Sequence, residues 1–118
     1  MVKENIIQER SYKFAIHIVQ FCKMLVRKKE YMFSRQLLKS GTSIGANVQE
    51  AQQAQSKPDF ISKLSIALKE AYETRYWLKL LTDSKIVMPE ETKGLLEEIN
   101  QIIALLVAIM KTSKNVLK

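Results

Sequence analysis

His17, Cys22, Glu50, Glu70 and Glu73 are the residues of this sequence whose types and positions could do chemistry. A carboxylate-bridged di-iron site in a helical protein needs Glu-x-x-His pairs on its inner helices. The chain has one histidine, so that reading fails, and His17 is expected to be an ordinary surface residue. Cys22 has no second thiol to pair with and falls on an apolar stripe, which predicts a buried free thiol rather than a nucleophile. Glu50, Glu70 and Glu73 could act as acid or base, but no nucleophile or oxyanion-binding group is marked beside them. Gly41 and Gly45 lie within a helical pattern and no lysine follows at phosphate-loop spacing. The expectation is a protein without enzymatic activity, cofactor or metal.

A second group of residues carries shape rather than reactivity. The stretch "KSGTSIGANVQEA" has helical spacing yet is built from poor helix formers. On a helix, Leu37, Gly41, Ile44, Val48 and Ala51 form an apolar stripe with Gly45 beside it. The two glycines lie one turn apart, so a second backbone could approach closely there. That approach would offset up to about 1 kcal/mol of helix propensity lost at each glycine. The opposite face reads Gln36, Ser40, Ser43, Asn47 and Glu50. Short polar residues in place of long charged ones predict a partly buried, hydrogen-bonded face. Downstream, Glu70, Glu73 and Trp77 share a face at steps of three and four, flanked by Arg75 and Tyr76. They read either as a hydrogen-bond and ion-pair set that fixes helix register or as a small polar pocket.

Charge supplies the third group. The formal net charge is +7, from 19 basic and 12 acidic residues, and residues 1–33 carry seven basic against three acidic ones. Lys3, Arg10, Lys13, Gln20 and Arg27 recur near one helical face, and they are the candidate contact for the phosphates of RNA or DNA. A solvated basic face that keeps the protein soluble is the other reading, and charge alone leaves both open. The single cysteine and the absence of a signal-like apolar segment in "MVKENIIQERS" predict a cytoplasmic protein. The longest apolar run, "IIALLVAIM", is about half the length a membrane span requires.

These residues must be positioned by helices, because three glycines and two prolines are too few for a many-stranded sheet. Apolar periodicity predicts one domain over residues 1–118, with helices at about 5–29, 34–55, 57–82 and 89–115. Ser34 is the expected N-cap of the second helix and Ser56 of the third, with Asp59 three residues on and Pro58 in the first turn. Pro89 should open the fourth, with Glu90 and Glu91 at its positive end. Four long helices with short links predict an all-α, up-down-up-down four-helix bundle. The fourth helix is apolar around nearly its whole circumference, which predicts that another subunit covers part of it.

"SGTSIGANVQEA" followed by "DFISKLSIALKEAYETRYWLKLL" resembles the family of proteins encoded in intervening sequences of bacterial 23S ribosomal RNA genes. The resemblance runs from Gln36 through Leu81 into the last helix. Its most specific positions are Ser43, Ile44, Ala46, Asn47 and Glu50, then Ala67, Glu73 and Leu78. Many members have Pro where this chain has Gly45, Gly where it has Ala51, and Gly-Ser where it has Lys69-Glu70; this chain is similar to the branch with "ALKEAxETxYWLxLL". The resemblance implies a left-handed bundle that assembles as a homopentamer around a central channel, with no established catalytic activity. A relative in fold, the accessory protein of diversity-generating retroelements, binds reverse transcriptase and nucleic acid. Two functions from different classes are therefore expected: a nucleic-acid-binding accessory protein, or a scaffold that binds a protein partner.

Overall fold

The computed structural model describes residues 2–117, with side chains from 5 to 114. The chain forms four α-helices: α1 Val2–Arg27, α2 Tyr31–Ala51, α3 Lys57–Asp83 and α4 Pro89–Leu117. They pack as a bundle 48 Å long and about 20 Å across. α1 and α3 each pack against both α2 and α4. The core runs along the shared axis through Ile7, Phe14, Ile18 and Leu25 of α1, Leu37, Ile44 and Val48 of α2, Leu64 and Leu78 of α3, and Ile99, Ile102 and Leu106 of α4. Each set recurs at steps of three, four or seven, the apolar stripe that makes a helix worth forming once it is packed.

Local chemistry sets the helix ends. α1 stops where Lys29 takes a left-handed φ of 64°. The N–H of Glu30 then reaches the Leu25 carbonyl and that of Lys29 the Val26 carbonyl, both at 2.9 Å. This is a Schellman ending with lysine at the position usually given to glycine. α3 repeats it with Lys85, φ 63°, as Ile86 N–H bonds the Leu81 carbonyl at 3.1 Å. Ser56 caps α3 as expected, its hydroxyl accepting from Asp59 N–H at 3.2 Å. At the start of α4 the Glu91 carboxylate accepts Met88 N–H at 2.7 Å.

Two boundaries differ from the sequence reading. α2 begins at Tyr31 rather than after Ser34, with Glu30 at the cap position and no side-chain cap. Because Lys29 completes the turn, "YMF" becomes the first turn of the helix instead of a break. Ser34 is buried inside α2, where its hydroxyl donates to the Cys22 carbonyl of α1 at 3.2 Å. α2 also ends at Ala51 rather than Gln55.

The fourth helix brings a further correction. Within one chain, Leu95, Ile99, Ile102, Ile103, Leu106, Ile109 and Met110 are all buried, and Leu96 and Leu105 pack partly against the core. Among its large apolar side chains Val107 stands out at 43% exposure. The wide stripe is covered from within, so α4 by itself does not call for a second subunit.

Candidate functional site

The glycine stripe meets α1. A Cβ on Gly41 would lie 2.8 Å from the Ile18 Cγ2, and one on Gly45 would lie 3.3 Å from the Ser11 carbonyl oxygen. Both glycines therefore permit close approach of α1 and α2, with Ile44 buried between them and the core. Cys22 lies in this seam. Burial pushes its thiol up to about 11, partly opposed by the Ser34 hydroxyl, so at neutral pH it is an unreactive neutral thiol.

The polar face of α2 meets α3. Ser40 is fully buried; it accepts a hydrogen bond from the Thr74 hydroxyl at 2.9 Å and donates to its own helix at Leu37. The Glu70 carbonyl lies 2.8 Å from the same Thr74 hydroxyl and shares its single proton with Ser40. Phe33 meets Trp77 edge-on, with ring centroids 6.1 Å apart, and Glu50 meets Lys63 at 3.6 Å. These contacts run in opposite sequence order on the two helices, which sets Ser43 and Asn47 along the same seam as Glu70. Ser43 and Asn47 are half-buried and bond back to their own helix, at Lys39 and Ser43 respectively. Glu73 accepts the Trp77 indole N–H at 3.3 Å, and Glu50 is exposed. The structure thus brings Ser43, Asn47, Glu70, Glu73 and Trp77 to one seam, where their bonds link successive turns of helix. The buried hydrogen bond across the two helices comes from Thr74, which sequence reasoning missed. Its signal was available: a hydroxyl placed seven residues after Ala67 and three after Ala71, on the core stripe. Among the described residues no group of three or more His, Cys, Asp or Glu could hold a metal ion, and no buried side-chain nitrogen or oxygen lacks a partner.

The basic residues of α1 divide between two grooves. Arg10 donates to the Gln101 side chain at 3.1 Å, and Lys13 pairs with Glu9 at 3.0 Å. Together with His17, Glu98 and Ile102 they line a shallow groove between α1 and α4. His17 is exposed but not solitary, because its Nδ1 lies 2.8 Å from the Glu98 carboxylate. Arg27 lines the other groove, between α1 and α2, with Val19, Val26, Leu38 and Lys23 over Cys22 and Ser34. Lys3 lies outside the described side chains. Val19 and Val26 are exposed on the wall of that groove.

A third surface joins Arg75 and Tyr76, which the sequence places beside Trp77, to Tyr72 and Asn100, which sequence reasoning did not single out. Tyr72 and Tyr76 stand outward from α3, 44% and 58% exposed. The Arg75 guanidinium lies 5.1 Å from the Tyr72 ring centroid and donates to Asn100 of α4 at 2.9 Å.

A family model described as 23S rRNA-intervening sequence protein matches residues 3–108. The chain is also similar to a solved structure of a protein with unknown function from the S23 ribosomal protein family of Bacteroides thetaiotaomicron. The two are 46% identical with a TM-score of 0.89, over 92% of this chain and 98% of the other. No curated protein matches.

Proposed function

We infer the function from one premise: the chain belongs to the 23S rRNA-intervening sequence protein family. On that premise we propose a non-enzymatic, cytoplasmic, oligomeric accessory protein that binds RNA or DNA through phosphates. The observation that carries this reading is the formal net charge of +7 on 118 residues. Arg10 and Lys13 lie solvent-facing on α1, bonded to Gln101 and Glu9. The pairs Arg10–Gln101, Gly41–Ile18, Ser40–Thr74 and Thr82–Thr92 support an up-down-up-down course, and the family resemblance adds a left-handed twist. Assembly, as a pentamer by that resemblance, is supported by the apolar groove of Val19, Val26 and Leu38, whose cover would be a second copy.

Titration of labelled RNA and DNA at increasing salt tests the binding. Affinity should fall with a log–log slope of about 0.9 per phosphate neutralised on duplex and about 0.7 on single strands. Arg10→Glu with Lys13→Glu and Arg27→Glu should abolish duplex binding and leave the oligomer intact. The same apolar groove favours a second reading, a scaffold or adaptor for a protein partner, which leads if the wild-type oligomer binds no nucleic acid at low salt.

A further inference from the structure

We propose that the outer face of α3 is a stacking platform for single-stranded nucleic acid, with Tyr72 and Tyr76 against bases and Lys69, Arg75 and Lys79 against phosphates. The proposal rests on the nucleic-acid reading above and goes beyond it by naming the strandedness and the residues. Tyr72 and Tyr76 are four residues apart, so their rings lie on one side of the helix, roughly 6 Å apart along its axis. Both are exposed. The Tyr76 ring meets Trp77 edge-on, with centroids 5.3 Å apart, which braces it without covering it. Arg75 reaches the Tyr72 ring and is steadied by Asn100, so a guanidinium is held beside an aromatic surface.

The charge of this face fits an anionic polymer. Lys69 and Lys79 are exposed on either side of the tyrosines along the outward side of α3. Glu73 turns toward the seam, where it holds the Trp77 indole N–H, and Glu70 sits on the α2 side with Thr74. Glu73, one turn from both Lys69 and Tyr76, is half-buried and engaged with the Trp77 indole, and the other outward positions from Lys69 to Lys79 carry cations and aromatic rings. Aromatic side chains on a cationic groove or face are the general means of holding single strands, because every base has a π-face and the binding tolerates any sequence. A duplex hides those faces in its stack and cannot use the tyrosines. The basic groove of α1, which lacks exposed aromatic neighbours among its lining residues, would bind duplex and single strand through phosphates alone.

Fluorescence anisotropy with short labelled oligouridylate and with a duplex of equal length decides the matter, using the full chain in its native assembly. The wild type should bind the single strand more tightly than the duplex. Tyr72→Ala with Tyr76→Ala should weaken single-strand binding at least tenfold, since stacking contributes about 1–3 kcal/mol per base. The log–log salt slope should stay unchanged, because no charge is removed. Tyr72→Phe with Tyr76→Phe keeps the rings and should keep the affinity. Lys69→Glu with Lys79→Glu touches only exposed side chains and should lower both affinity and salt slope, so the face is tested even if the double alanine variant does not fold. Wild-type binding that neither the alanine pair nor the glutamate pair changes would overturn the platform while leaving phosphate binding through α1 standing. Absence of wild-type binding to either probe at low salt would overturn both. Loss of assembled mass in the folded alanine variant, read by light scattering, would assign the face to a protein contact and overturn the proposal as well.

Discussion

Three glycines in this chain have three different surroundings, and the difference predicts three outcomes. Gly41→Ala puts a methyl against the fully buried, branched Ile18, which cannot swing away, so a loss of about 1–3 kcal/mol is expected. Gly45→Ala meets the Ser11 carbonyl at a tight but tolerable distance; helix propensity gained there offsets part of the strain, and the change should be smaller than at Gly41. At Gly94 an added methyl would meet nothing within 4 Å, and Gly94→Ala should raise stability by about 1 kcal/mol. Urea melts of the three variants check the order. Cys22 supplies a pH dependence. Its thiol is raised from 9.0 to about 11 in the folded protein, so between those values the unfolded chain releases a proton that the folded one retains. Stability from this group is whole below pH 9 and falls as pH rises toward 11. Cys22→Ala should flatten that part of the stability profile, by up to about 2–3 kcal/mol at pH 11. The close approach at Gly41 was legible from the sequence, whereas the partner, Ile18 on the preceding helix, depends on the register between helices.

At the scale of the helix, ends were easier to read than the use made of hydroxyls. Ser56 was legible as a cap because Asp59 and Pro58 follow it in the right order. Ser34 carries the same hydroxyl before an apolar run, yet it is spent on the Cys22 carbonyl of another helix, and only packing reveals that. Ser40 and Thr74 tell the same story from inside the core. Ser56→Ala should therefore cost about 1 kcal/mol through the lost cap. The two left-handed lysines were illegible, since glycine is the residue that marks such an ending in sequence. Lys85→Gly should relieve the strained φ and stabilise the protein by about 1 kcal/mol, with thermal melts as the readout.

For the whole molecule, four helices and their apolar stripes were legible because long amphipathic periods leave little choice of fold. The inference from α4 to assembly failed for a physical reason: two neighbouring helices and their long side chains cover more of a helix than one face. The apolar exposure that lines a groove lies along α1 and α2, at Val19, Val26 and Leu38. The expected mass in solution is a multiple of 13.6 kDa, five-fold by the family resemblance, and light scattering coupled to size exclusion measures it. Val19→Glu with Leu38→Glu should shift the mass to a monomer without altering the helical content. A wild-type monomer at micromolar concentration would remove the assembly altogether.

Three of the four seams join helices that are adjacent in sequence, and only the seam of α1 with α4 joins distant ones. That seam is edged by exposed pairs, Arg10 with Gln101 and His17 with Glu98, each worth at most about 1 kcal/mol. Mostly local contacts favour rapid refolding, within about microseconds to milliseconds for a helical domain. The distant seam then closes last and opens first. Native-state hydrogen exchange should find the amides of the first half of α1 opening at a lower free energy than those in the middle of α2 and α3, which the buried Ser40–Thr74 bond joins.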